Sequence, residues 1–183
     1  ARASLAIGLV LALGSLVGTG GKALPPVEVA AVQANVSLDE KWDVEKLEAT
    51  TKPYTELTRK ATDSGAQFIV WAETAIPAYV RYDRELMNWV RDLAKDEDIF
   101  LYTGFPDAQR HPDGRMEKFN SSGLFNQQGI LVDRYAKHHL LPIGEAMPFT
   151  RFFPFLAGVD VGQAEWSPGP VPNIMAADLK NGP

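Results

Sequence analysis

Cysteine is absent from all 183 residues. Disulfides, a Cys-ligated zinc and a thiol nucleophile are therefore excluded within this stretch. An excess of positive charge is missing too: 18 Lys and Arg stand against 23 Asp and Glu, a formal net charge of −5. No broad cationic surface is available to draw the chain to nucleic acid. Low complexity and internal repeats are likewise absent. With 45% hydrophobic and 22% charged residues, the composition is that of a globular protein with a real core.

Charge is missing locally as well, because Ala3 to Gly21 carries none and is bounded by Arg2 and Lys22. As a helix this stretch would be about 28 Å long, close to the ~30 Å hydrocarbon thickness of a bilayer. Gly14 and Gly18 form a G-x-x-x-G pair, which lets a second membrane helix approach closely. The first reading is a transmembrane helix over residues 1–22, with an acidic domain over residues 23–183 behind it. A cleaved signal peptide and a buried core helix are the competing readings. Five glycines count against a core helix, and the absence of an A-x-A site before Leu24 counts against a signal peptide.

Behind Pro25-Pro26 the pattern predicts alternating elements. Val27 to Asn35 reads as a buried strand. Leu38 to Ser64 reads as helical, with Leu47, Tyr54, Leu57 and Ala61 on one face, a kink or split at Pro53 and a stop at Gly65. Gln67 to Trp71 reads as a strand, Arg84 to Lys95 as a helix through Leu86, Val90 and Leu93, and Ile99 to Phe105 as a strand. Lys118–Asn126 and Ile130–Tyr135 flank Gln127-Gln128-Gly129 as a hairpin. This order predicts a layered α/β domain. Near the end, Ala176–Lys180 resembles an approach to a further strand, and Asn181-Gly182 is a hairpin turn signal. The expectation is a truncated domain.

Chemistry is expected where charge meets the end of a core strand, since ligands gather at the carboxyl ends of strands in α/β folds. Glu73 follows Phe-Ile-Val-Trp and precedes Ala-Ile-Pro. Set against Trp71 and Ile76, its carboxylate is expected to be buried and to hold a proton more tightly, which suits a general base; an exposed loop glutamate is the plainer reading. Lys137 follows the hairpin's second strand, and Glu145 comes eight residues later, after Pro-Ile-Gly. A lysine beside buried carboxylates stays cationic and can stabilise an oxyanion. His138 and His139 are adjacent and point opposite ways in extended chain, which argues against a shared metal. Asp107 with His111 reads as a surface turn. Phe149, Phe152, Phe153, Phe155 and Leu156 suit either a loop dipping into lipid or core packing, and Trp166 is equally open.

The segments IVWAETAIP, with Glu73, and YAKHHLLPIGEAMP, with Lys137, resemble the glutamate and lysine motifs of the nitrilase (carbon-nitrogen hydrolase) superfamily. The form K-x-H-L-x-P-x-G-E-x-x-P resembles more narrowly the apolipoprotein N-acyltransferase family, and FNSSGLF at Asn120 fits as well. The resemblance covers Val27 to Pro183. It departs at Ala72, where proline is common, at Ile143, where phenylalanine is usual, and in the missing nucleophile cysteine, which the family carries after the next strand.

What the resemblance implies is a partial nitrilase-like α-β-β-α sandwich preceded by one transmembrane helix. Glu73 would be the base, Lys137 the oxyanion holder and Glu145 its assistant. A phospholipid would donate the acyl group and an apolipoprotein N-terminus would accept it, at the periplasmic face of the bacterial inner membrane, without metal or organic cofactor. These 183 residues alone would be inactive for want of a thiol. A small-amide hydrolase and a non-catalytic binding relative are the alternatives.

Overall fold

The computed structural model describes residues 26–36, 47–142, 145 and 166–177. One compact unit runs from Val27 to Asp178. The expected membrane helix over residues 1–22 and the aromatic cluster at 149–156 lie outside the described residues. Among the described residues no helix is long and apolar enough to cross a membrane.

The chain forms β1 (Val29–Val32), α1 (Leu47–Asp63), β2 (Phe68–Trp71), a 3-10 turn (Val80–Tyr82), α2 (Arg84–Asp96), β3 (Phe100–Arg110), β4 (Met116–Phe125) and β5 (Leu131–Ala136). The strands make a five-stranded sheet in the order β1-β2-β3-β4-β5. β1, β2 and β3 are parallel, while β4 and β5 continue antiparallel. Parallel neighbours need a crossover, here α1 and then α2, whereas antiparallel neighbours need only a turn. β3 extends past Phe105 to Arg110 and pairs with β4, and His111–Gly114 forms the hairpin turn between them.

Both helices cover one face of the sheet. Ile69 and Trp71 of β2 and Leu101 and Phe105 of β3 are buried there, with Val90, Leu93 and Ala94 of α2. Trp71 is the centre: its ring lies 4.8 Å from Tyr54 of α1 and 5.5 Å from Trp89 of α2. Its indole N–H donates to Thr58 Oγ1 at 2.9 Å, because a buried indole needs an acceptor. This explains a correction to the expected helix face. Thr50, Tyr54 and Thr58 are the buried positions of α1, and Leu57 is 37% exposed. Pro53 does not split the helix, which runs unbroken through it. Gly65, at φ +96°, stops it as expected, and Ala66 N–H and Gly65 N–H bond back to Ala61 and Thr62 carbonyls, a Schellman ending that only glycine adopts without strain.

The start of α2 is fixed by Asp83, whose carboxylate accepts from the Glu85 and Leu86 amides. The opposite sheet face presents Tyr102 and Gly104 of β3, Asn120 and Ser122 of β4 and Tyr135 of β5, aligned by the strand register. The second sheet and helix layer of the expected sandwich is not among the described residues.

Candidate active site

β2 ends at Trp71, and the backbone turns sharply through Ala72–Ala75, closed by an Ala75 N–H to Ala72 carbonyl bond of 3.1 Å. Thr74 takes φ +49°, a left-handed conformation costly for a β-branched residue. The surroundings hold it there. Ala75 and Ile76 are buried, and Ile76 N–H donates to Gly104 carbonyl at 3.1 Å. Gly104 permits the crossing: a Cβ on it would lie 2.5 Å from Thr74 N. The turn therefore places Glu73 at the carboxyl end of β2, over the uncovered face of the sheet.

Lys137 arrives from the other side. It follows β5 directly, and its backbone N–H donates to Asn120 carbonyl at 2.8 Å. Its Nζ donates to Glu73 Oε1 at 3.1 Å and to Glu145 Oε1 at 2.8 Å. The three residues singled out from sequence are thus brought together, Lys137 bonding to a carboxylate 64 residues before it and to one eight residues after it. One expectation is corrected: the Glu73 side chain is 65% exposed, not buried against Trp71 and Ile76, because the turn lifts it off the core; Glu145 is the enclosed carboxylate, at 11%.

Burial alone would lower the Lys137 pKa, but the hydrogen bonds and charges of Glu145 and Glu73 outweigh it and hold the ammonium above its ordinary value. Burial likewise works to raise the Glu145 carboxyl. The bond from Lys137, the Leu141 backbone N–H at 2.8 Å and Asn120 outweigh it and hold the group below its usual range. The pair Lys137 and Glu145 therefore stays charged across the neutral range.

Asn120 was visible in the sequence only as part of a motif, and its contacts were not. Its Nδ2 donates to Glu73 Oε1 at 2.7 Å and to Glu145 Oε1 at 3.2 Å. The available signal was the polar run Asn120-Ser121-Ser122 inside an apolar strand, since all three are buried. Below them opens a cleft of about 310 Å³ bounded by Glu73, Asn120, Tyr102, Ser122 and Tyr135. The Tyr102 and Ser122 hydroxyls share a hydrogen bond of 2.5 Å in its wall.

Trp166 is buried, and its backbone N–H donates to the Glu145 carbonyl at 3.0 Å. The rings of His138 and His139 do not point opposite ways as expected but meet edge to face, their centroids 4.7 Å apart, and Nδ1 of His138 bonds with the Gly169 carbonyl at 2.7 Å. No cluster of three or more metal-ligating side chains occurs among the described residues. Asp107 departs most from expectation. It is 1% exposed on β3, not part of a surface turn, and its carboxylate accepts from Arg81 and Arg134.

A carboxylate at the end of a parallel strand thus lies beside an ammonium that a second carboxylate also holds. Residues 28–170 match the carbon-nitrogen hydrolase family, and the chain belongs to it. It is similar to apolipoprotein N-acyltransferase of Geobacter metallireducens, with 31% identity over 86% of this chain and 30% of that protein. It is also similar to that of Chlorobaculum tepidum, with 30% identity over 86% of this chain and 33% of that protein. The chain thus spans about a third of the length of the curated relatives it matches. Among solved structures, a variant of the amidase from Nesterenkonia sp. AN1, carrying acrylamide at its active-site cysteine, superposes with a TM-score of 0.56. At 15% identity, over 80% of this chain and 51% of that one, this is a likeness of fold.

Proposed function

We propose that this chain forms part of an enzyme that transfers a fatty acyl group from a phospholipid to the N-terminal cysteine amine of an apolipoprotein, through a thioester. The observation that carries the reading is the Lys137 ammonium, held at 3.1 and 2.8 Å between Glu73 and Glu145. The names of the relatives support acyl transfer to an apolipoprotein amine. These 183 residues contain no cysteine, so the thiol of this reaction lies outside them, and they would not form a thioester alone.

Glu73 takes the thiol proton as sulfur attacks the ester carbonyl. Lys137 stabilises the tetrahedral oxyanion, and Glu145 holds Lys137 charged and in place. Collapse breaks the ester C–O bond, and the departing lysophospholipid hydroxyl takes the proton back from Glu73. The amine then attacks the thioester, Glu73 accepts its proton, and the C–S bond breaks to return the thiolate. Two easier acyl transfers replace one difficult one. This reading includes the bacterial inner membrane as the setting, residues 1–22 as a membrane helix and the catalytic domain on the periplasmic side.

The test uses the full-length protein carrying these residues, in detergent, with acyl-labelled phosphatidylethanolamine and phosphatidylglycerol and a peptide beginning with S-diacylglyceryl cysteine. The expected result is a hydroxylamine-sensitive label on the protein and a peptide heavier by one acyl chain, both lost in Glu73→Gln. Ammonia release from small amides without acyl transfer would make the protein an amidase instead. Neither activity, with the peptide or lipid still bound, would make it a binding relative.

A further inference from the structure

Asn120 touches every member of the charged group. Its side-chain nitrogen donates to Glu73 Oε1 and Glu145 Oε1, and its backbone carbonyl accepts from Lys137 N–H. Lys137 Nζ donates to the same two carboxylate oxygens. Two nitrogens and two oxygens therefore close a ring of four hydrogen bonds. Both acceptors are carboxylate oxygens, so the amide must present nitrogen and not oxygen to them.

We propose that Asn120 is a positioning residue, which holds the two carboxylates on one common edge so that the single Lys137 ammonium serves both. The inference rests on the acyl-transfer reading above. The chemistry favours asparagine here. Two carboxylates converging on one point repel each other, and one cation offsets only one of them. The NH2 group supplies two hydrogens from one atom, one for each carboxylate, and adds no charge. Aspartate would add a third negative charge, and alanine would leave each oxygen with Lys137 as its one donor within the ring. Because both donors converge on Oε1 of Glu73, they fix the rotation of that carboxylate about its last bond. A base needs this orientation, since proton transfer demands hydrogen-bond geometry.

The residue is also well placed to be rigid. It is 8% exposed, within the central antiparallel strand β4, paired with β3 on one side and β5 on the other. A polar group enclosed there keeps its rotamer through the bonds it makes.

The experiment compares wild type, Asn120→Ala, Asn120→Asp and Glu73→Gln in the full-length protein, by steady-state acyl transfer against pH and by thermal unfolding. Asn120→Ala is expected to lower kcat roughly 10- to 100-fold, as loss of bonds to charged acceptors would, with KM within about twofold. The acid limb of its pH profile should move upward, because one of the bonds that keep Glu145 ionised is gone. Asn120→Asp, nearly isosteric, should fold as wild type does and move the acid limb further, through a third carboxylate. A loss of packing alone would lower the unfolding temperature without moving the acid limb. Wild-type kcat and pH profile in both Asn120 variants, while Glu73→Gln is inactive, would overturn the role of Asn120 alone. Full activity in Glu73→Gln would overturn the assigned base and the role of Asn120 with it.

Discussion

At the scale of single residues, the opposed pKa shifts of Lys137 and Glu145 have a definite consequence. A carboxyl held below its ordinary value stabilises the fold above its unfolded pKa, and that contribution is lost as pH falls through the lowered value. A raised ammonium contributes below its unfolded pKa and is lost as pH rises through the raised value. Lys137→Met removes the cation from between two carboxylates. Glu145, the more enclosed of the two, would then take up a proton more readily in the folded than in the unfolded chain. Its contribution changes sign: urea unfolding midpoints should rise, relative to wild type, on acidification from pH 7 towards pH 5. Acyl transfer should fall about 10²- to 10³-fold, the usual effect of losing one oxyanion donor. Glu73 was singled out in the sequence because it directly follows an apolar strand, and Lys137 with Glu145 because they share one motif behind the hairpin. Asn120 was not, because an amide announces its donors only when the acceptors are in place. Asp107 was misread for a related reason: its partners Arg81 and Arg134 stand 26 and 27 residues away.

At the scale of elements, the strands and helices followed from apolar runs and helical spacing, and their errors have physical causes. Leu57 and Thr58 exchange roles because the Trp71 indole, fixed in the core, selects a hydroxyl over a methyl group. β3 was cut short at Phe105 because proline follows it, yet Pro106 still pairs in register with Asn120. The element most tied to function is the turn after β2, which crosses β3 in contact with Gly104. Gly104→Ala sets a methyl group 2.5 Å from Thr74 N and 3.2 Å from the Glu73 carbonyl carbon. Both are backbone atoms that no rotamer change can move. The strand or the turn must shift, at a cost of about 1–3 kcal/mol, and Glu73 shifts with it. Chemical unfolding should show the lost stability, and kcat should fall more than KM changes. Unaltered kcat would mean that Glu73 tolerates movement of its turn.

At the scale of the whole described unit, the site depends on two ends of the sheet keeping their register. Glu73 hangs from the end of β2, and Lys137 from the end of β5, with β3 and β4 between them. On the helix-covered face, Asp107 of β3 ties the same two parts together. It binds Arg81, from the segment that leads away from the Glu73 turn, and Arg134, three residues before Lys137 on β5. Tyr82 adds a hydroxyl bond to the Ala108 carbonyl at 2.9 Å. Both guanidiniums remain about one-third exposed, so water compensates part of any loss. Asp107→Asn, which keeps the size and removes the charge, should therefore cost about 1–3 kcal/mol, less than for a fully enclosed ion pair. Since the brace joins the carriers of base and ammonium, kcat should fall with stability, although Asp107 lies on the face of the sheet opposite the cleft. Urea unfolding and acyl-transfer kinetics on the same preparation decide between the two roles. Lower stability with undiminished kcat at a temperature where the variant is folded would reduce Asp107 to a structural tie. A fall in both would show that the distance between Glu73 and Lys137 is set from beneath the sheet as well as by Asn120 above it.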